Sequence, residues 1–136
     1  EDLKDFLSDE GWSIVHEATR PARPASYLAT GDLALSSEAR CFLSAYPGGI
    51  YGHQHEGVRR FLGGSNVAIT TPTASGKTLI FHLCAIDLLA RGKGAVIAVY
   101  PLKALGREQA ERWRQAIKDS GLDAQVGYID GSVSMP

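Results

Sequence analysis

The chain has 136 residues, 44% of them hydrophobic, and its 14 Lys and Arg against 15 Asp and Glu leave a formal charge of −1. That length and apolar content suit about one domain with a real core, and argue against a disordered chain or a globally basic nucleic-acid binder. No apolar run reaches the roughly 18 residues of a membrane helix and no signal-peptide pattern opens the sequence, so a cytoplasmic protein with no membrane partner is expected.

Taken in order, the opening "EDLKDFLSDE" places Leu3, Phe6 and Leu7 at helical spacing, a stripe expected to cover the protein's own core. "TRPARPASY" follows as a proline-stiffened, extended connector. "SSEARCFLSAY" predicts a short helix capped by Ser36 or Ser37, and Gly48 and Gly49 then break the chain. Residues 1–47 therefore read as a helical and extended N-terminal segment, with a more regular domain over 48–136.

Within that second region, "HQHEGVRRFLGG" carries Val58, Phe61 and Leu62 on one helical face and stops at Gly63 and Gly64. "NVAIT" is a short apolar strand. "KTLIFHLCAIDLLARG" is apolar nearly all round, which suits a buried helix. "AVIAVYP" predicts a second strand, "ALGREQAERWRQAIKDSG" a helix with Leu105, Trp113 and Ile117 at helical spacing, and "AQVGYIDG" a third strand. Strand, helix, strand, helix, strand means an α/β fold: a parallel sheet with covering helices.

Chemistry concentrates in "TPTASGKT", residues 71–78, which lies between the first strand and the apolar helix. A strand feeding a loop that opens a helix turns backbone amides and the positive helix end toward one anion. Gly76 leaves room for a phosphate, Lys77 can reach the β and γ phosphates, and Thr78 offers a hydroxyl to Mg²⁺. Thr73, Ala74 and Ser75 complete the cradle. A nucleotide site is expected, although the pattern's first glycine is Thr71. Cys41 and Cys84 form no metal-type pair, Cys84 reading as a buried thiol. His53 and His55 lack further ligands and read as polar residues at a helix start.

On these residues the sequence resembles the superfamily-two DEAD/DEAH-box helicases, whose loop commonly opens with Ala or Thr. "GIYGHQHEGV" resembles their glutamine motif, which implies that Gln54 reads the adenine edge while Tyr51 packs beside the base. "YPLKALGREQ" resembles motif Ia, which implies that Pro101, Lys103, Ala104 and Arg107 meet a nucleic-acid backbone, with Leu102 where the family usually has Thr. "YIDGS" and "IVHEATRPARPASY" are similar to segments of the DNA-helicase branch typified by YprA, with Ser132 where that branch often has Asp.

The resemblance implies a RecA-like P-loop domain binding ATP and Mg, with Lys77 and Thr78 as its catalytic residues here and DNA as the favoured nucleic acid. It also implies a downstream Asp-Glu pair on a strand between the loop strand and its sheet neighbours, and a second RecA-like domain. No residue of this sequence matches these, so an incomplete domain is expected, inactive alone and completed by the remainder of a helicase core or by a partner chain. Two other readings stay open. A small self-contained phosphotransferase would use Asp130 as its Mg ligand, and a non-enzymatic nucleotide or nucleic-acid module would complete its fold on a partner.

Overall fold

The computed structural model describes residues 3–16, 18, 25–72 and 74–131. Thr73 and Ser132 lie outside them. Helix α1 (Leu3–Asp9) forms where the spacing predicts it but buries no residue. It packs against no other element among the described residues, so Leu3 and Phe6 stay exposed and the expected burial of the stripe does not occur. Seven residues with three apolar side chains offer too little area to hold a helix down by themselves.

A helical layer forms the body. Helix α2 (Ser37–Leu43) is capped by Ser36, whose hydroxyl accepts from the Ala39 amide at 3.2 Å. Helix α3 (Gly52–Leu62) ends at Gly63, and helix α5 (Lys103–Ser120) ends at Gly121, a left-handed residue. Helix α4 (Lys77–Ala90) packs against α2, α3 and α5. That position explains its apolar circumference. Leu83 and Ile86 of α4 are fully buried together with Val58 of α3, Ile50 and Leu33. Each such side chain contributes roughly 1.5–3 kcal/mol by leaving water.

The core crosses residue 47. Strand β1 (Tyr27–Leu28) pairs antiparallel with β2 (Ile50–Tyr51), Tyr27 opposite Tyr51. Leu33, Leu35, Ala39, Phe42 and Leu43 join the same apolar cluster as α4. Asp87 of α4 fixes the junction: its carboxylate accepts from the Ser36 amide at 2.6 Å and from Arg91 at 2.7 Å, while Arg91 also donates to the Ala34 carbonyl. Residues 27–47 thus share one core with the later region.

The sheet is where sequence and structure part. This β1–β2 pair is the ladder present among the described residues, and it is antiparallel. The segments 66–70, 95–100 and 124–130, expected as parallel strands, belong to no ladder there. Two of them keep the alternation of a strand on a surface: Val67 and Ile69 are half-buried between exposed neighbours, as are Leu122, Ala124, Val126 and Tyr128. The third is bare, with Ile97 88% and Val99 86% exposed. A cleft of about 470 Å³ runs between helix α4 and residues of both 65–69 and 96–100. A ladder needs a neighbouring strand within about 4.8 Å, and the described segments have no such partner.

Candidate nucleotide-binding site and basic helix start

The loop 71–78 delivers its residues at the head of α4. Gly76 is the residue before the helix and holds φ at +74°, and Ala74 is also left-handed at +59°. A side chain at residue 76 would be doubly unfavourable, because its Cβ would come within 2.5 Å of the Gln54 amide nitrogen. Residue 76 is therefore held to glycine both by its backbone conformation and by Gln54 packed against it.

Lys77 Nζ donates to the Thr71 and Pro72 carbonyls at 2.8 and 2.6 Å, curling the loop around its own cation. The Thr71 and Ser75 hydroxyls lie 2.6 Å apart, and His53 Nε2 meets the Ser75 carbonyl at 2.9 Å. His53 thus braces the loop from α3, a role that its position at a helix start did not signal. His55 pairs instead with Asp32 at 2.9 Å, and that hydrogen bond holds the Asp32 carboxyl below its usual range.

Gln54 is 4% exposed, and both polar atoms of its amide are hydrogen-bonded. Its Oε1 accepts from the Tyr51 amide at 2.8 Å and its Nε2 donates to the Gly76 carbonyl at 2.8 Å. Donor and acceptor partners fix the orientation of the carboxamide without ambiguity. Gln54 therefore ties the start of α3 to the phosphate loop, with one further N–H and one further lone pair on the same amide.

Tyr51 stacks on Tyr27 at 4.8 Å between ring centroids, with the hydroxyls 3.2 Å apart, and on His53 at 5.7 Å. The hydrogen bond to Tyr51 raises the Tyr27 phenol above its ordinary value. The Tyr27 and Tyr51 rings and residues 74–78 line one cleft of about 830 Å³. Tyr27 sits in the proline-rich lead-in, where no periodicity marks it; only its cross-strand pairing with Tyr51 reveals it. The cleft brings tyrosine faces together with a bare glycine, a lysine and the Thr78 hydroxyl at a helix start, the groups a nucleotide site needs.

Pro101, Lys103, Ala104 and Arg107 gather on the exposed opening of α5. Leu102 precedes the helix with no side-chain cap, so the first amides of α5 receive no side-chain partner from it. Asp130 pairs with Arg107 at 3.5 Å and does not line the cleft at the phosphate loop. Cys84 is an inert thiol, pushed up to about 12 by burial and by the nearby Asp87 carboxylate.

A family model for the DEAD/DEAH box helicase matches residues 51–135. The chain belongs to the DEAD/DEAH box helicase family. The ATP-dependent helicase HRQ1 of Saccharomyces cerevisiae is 33% identical over 102 residues, covering 74% of this chain and 9% of that protein. The ATP-dependent helicase YprA of Bacillus subtilis is 30% identical over 86 residues, 62% of this chain and 12% of that one. A crystal structure of the helicase MrfA bound to DNA and AMPPNP aligns with 98% of this chain at a TM-score of 0.81 and 25% identity, the chain covering 19% of it. The chain thus spans about a tenth of the length of the curated relatives it matches. The agreement with MrfA gives the arrangement its place as an incomplete RecA-like α/β domain, the unladdered segments included. Among the described residues no helix is long and apolar enough to cross a membrane.

Proposed function

We propose that this chain is the ATP-binding part of an ATP-dependent nucleic-acid helicase or translocase, cytoplasmic and acting on DNA. One observation carries the reading: Lys77 opens a helix behind a left-handed Gly76 that Gln54 holds from beneath. The DNA and AMPPNP bound to MrfA support the choice of partner and nucleotide.

ATP would lie with its base at Tyr51 and its phosphates at residues 73–78. Lys77 exchanges its loop carbonyls for the β and γ phosphates, which are charged and hold it more strongly. Gln54 keeps the loop in register and favours adenine, which presents both a donor and an acceptor to a carboxamide. Thr78 is the residue that would hold Mg²⁺, which neutralises phosphate charge when bound. Lys103 and Arg107, with the opening amides of α5 beside Pro101 and Ala104, contact the sugar-phosphate backbone without reading bases. Gripping a ground-state phosphate does not lower the barrier; water has to be aligned and developing charge stabilised. Residues 48–136 carry these motifs as the partial RecA-like unit, and the chain alone turns over little ATP. The bare Ile97 and Val99 beside an apolar cleft support cover by the rest of a helicase core or by a partner chain.

The test is ATP binding and DNA-stimulated hydrolysis by a helicase core containing this chain, with and without Lys77→Ala. Turnover should fall by at least about a hundredfold, as for loss of a principal phosphate contact. Undiminished turnover would remove the phosphate-loop assignment.

A further inference from the structure

The opening of α5 is held by a segment that the nucleotide site does not use. Tyr128 donates its hydroxyl to the Lys103 carbonyl at 3.1 Å. Its ring lies against Gly106, where an added Cβ would come within 3.1 Å of it. Anchored this way, the segment brings Asp130 Oδ2 to the Arg107 guanidinium at 3.5 Å, an ion pair rather than a hydrogen bond. The two partners differ in exposure: the Asp130 side chain is 6% exposed and that of Arg107 68%. Lys103 Nζ approaches the same turn, 3.8 Å from where a Cβ on Gly131 would stand. A withdrawn carboxylate therefore sits behind a guanidinium that faces water.

That asymmetry has a chemical consequence. A guanidinium carries five N–H donors in a rigid plane, so one edge can meet a carboxylate while the other remains free for a phosphate oxygen. An unanchored arginine gives up rotamer freedom when a phosphate fixes it, whereas one already held by a buried partner has less to lose. Resting on the reading of the α5 opening as a backbone-contact surface, we propose that Asp130 is a positioning residue for nucleic-acid binding: it holds the Arg107 guanidinium so that its outward edge meets a strand phosphate. Asp130 is thereby not a metal ligand.

The negative charge of Asp130 also opposes a nearby phosphate, and the two effects separate cleanly. Repulsion acts whether or not Arg107 is present. Positioning acts only through it. The experiment measures binding of a labelled oligothymidylate by fluorescence anisotropy across a salt series, for the parent, Arg107→Ala, Asp130→Asn and the double variant, with melting temperatures alongside. Arg107→Ala should weaken binding and lower the log–log salt slope by about 0.7, one phosphate contact. Asp130→Asn should weaken it about two- to fivefold, the range of a partly exposed ion pair, with a lower slope, and should add no loss when Arg107 is already alanine. If the asparagine variant melts, the smaller Asp130→Ser serves in its place. Binding as tight as the parent's in Asp130→Asn, or an equal loss in both backgrounds, overturns the positioning role while the surface stands. If neither Arg107→Ala nor Lys103→Ala weakens binding, the surface itself is wrong and the proposal falls with it.

Discussion

His82 gives the helical layer a measurable response to acid. It lies on α4, 6% exposed, with its ring edge-on to Trp113 of α5 at 4.3 Å and near Phe42 of α2 at 6.2 Å. Its Nε2 has no hydrogen-bond partner among the described residues. Burial first, and then the Arg112 charge, together push its pKa down from 6.5 to about 4. The unfolded chain thus takes up a proton at the ordinary histidine value, while the folded chain resists until about pH 4. Between these limits the unfolded state binds more protons, so stability is full above the ordinary value and declines as pH falls. An interval of about 2.5 pH units at about 1.4 kcal/mol each gives a total of about 3 kcal/mol, of which about 2 is lost by pH 5.

The perturbation is His82→Leu, which keeps an apolar body against Trp113 and Phe42 and removes the titrating group. Urea denaturation at about pH 7.5, 6 and 5 supplies the free energies. At the highest pH the variant should match the parent within about 1 kcal/mol, because a well-fitting apolar replacement of an unpaired buried polar group is close to neutral. At about pH 5 it should exceed the parent by about 2 kcal/mol. Subtracting one curve from the other cancels every group common to both. Parallel curves through this range would refute the assignment, showing that water or local opening reaches the imidazole.

Two further outcomes bear on the site and its support. Gln54→Ala should lower stability by about 2–3 kcal/mol, because it unpairs the Tyr51 amide and the Gly76 carbonyl beneath the loop. In a helicase core it should also narrow the preference for ATP over GTP; a thermal loss with the preference unchanged would leave Gln54 as a brace alone. Burial would raise the Asp87 carboxyl, but the hydrogen bonds from Arg91 and the Ser36 amide outweigh it and hold it below its ordinary value. Its contribution is therefore present above that value and lost as pH falls through the folded one. Asp87→Asn should cost about 2 kcal/mol at neutral pH and flatten the acid end of the stability curve, as denaturation below about pH 4 will show.

The loop at 71–78 was legible because everything it needs is contiguous: a glycine, a lysine and a threonine follow one another, and the apolar run after them is long enough to be a helix. Helix ends were legible for the same reason, since Ser36, Gly63 and Gly121 act on amides or carbonyls within a turn of themselves. Strands are defined by partners, and "NVAIT" and "AVIAVY" spell the right side chains without supplying a neighbour at ladder distance. The burial of Leu33 and Leu35 was not legible because they enter the core from an irregular turn, where no period announces burial. Leu3 and Phe6 misled in the opposite sense: their spacing specifies a helical face, yet spacing carries no information about whether another surface meets it. Asp130 joins both difficulties. Its sequence context, an acid ending an apolar strand, suits a metal ligand as well as a partner for arginine, and only the docking of Tyr128 on Gly106 brings it to Arg107. A motif names the atoms that touch a ligand because those atoms must be close along the chain. The groups that brace the loop, here Gln54 and His53, stand more than twenty residues from what they support, and no local pattern can assign their partners.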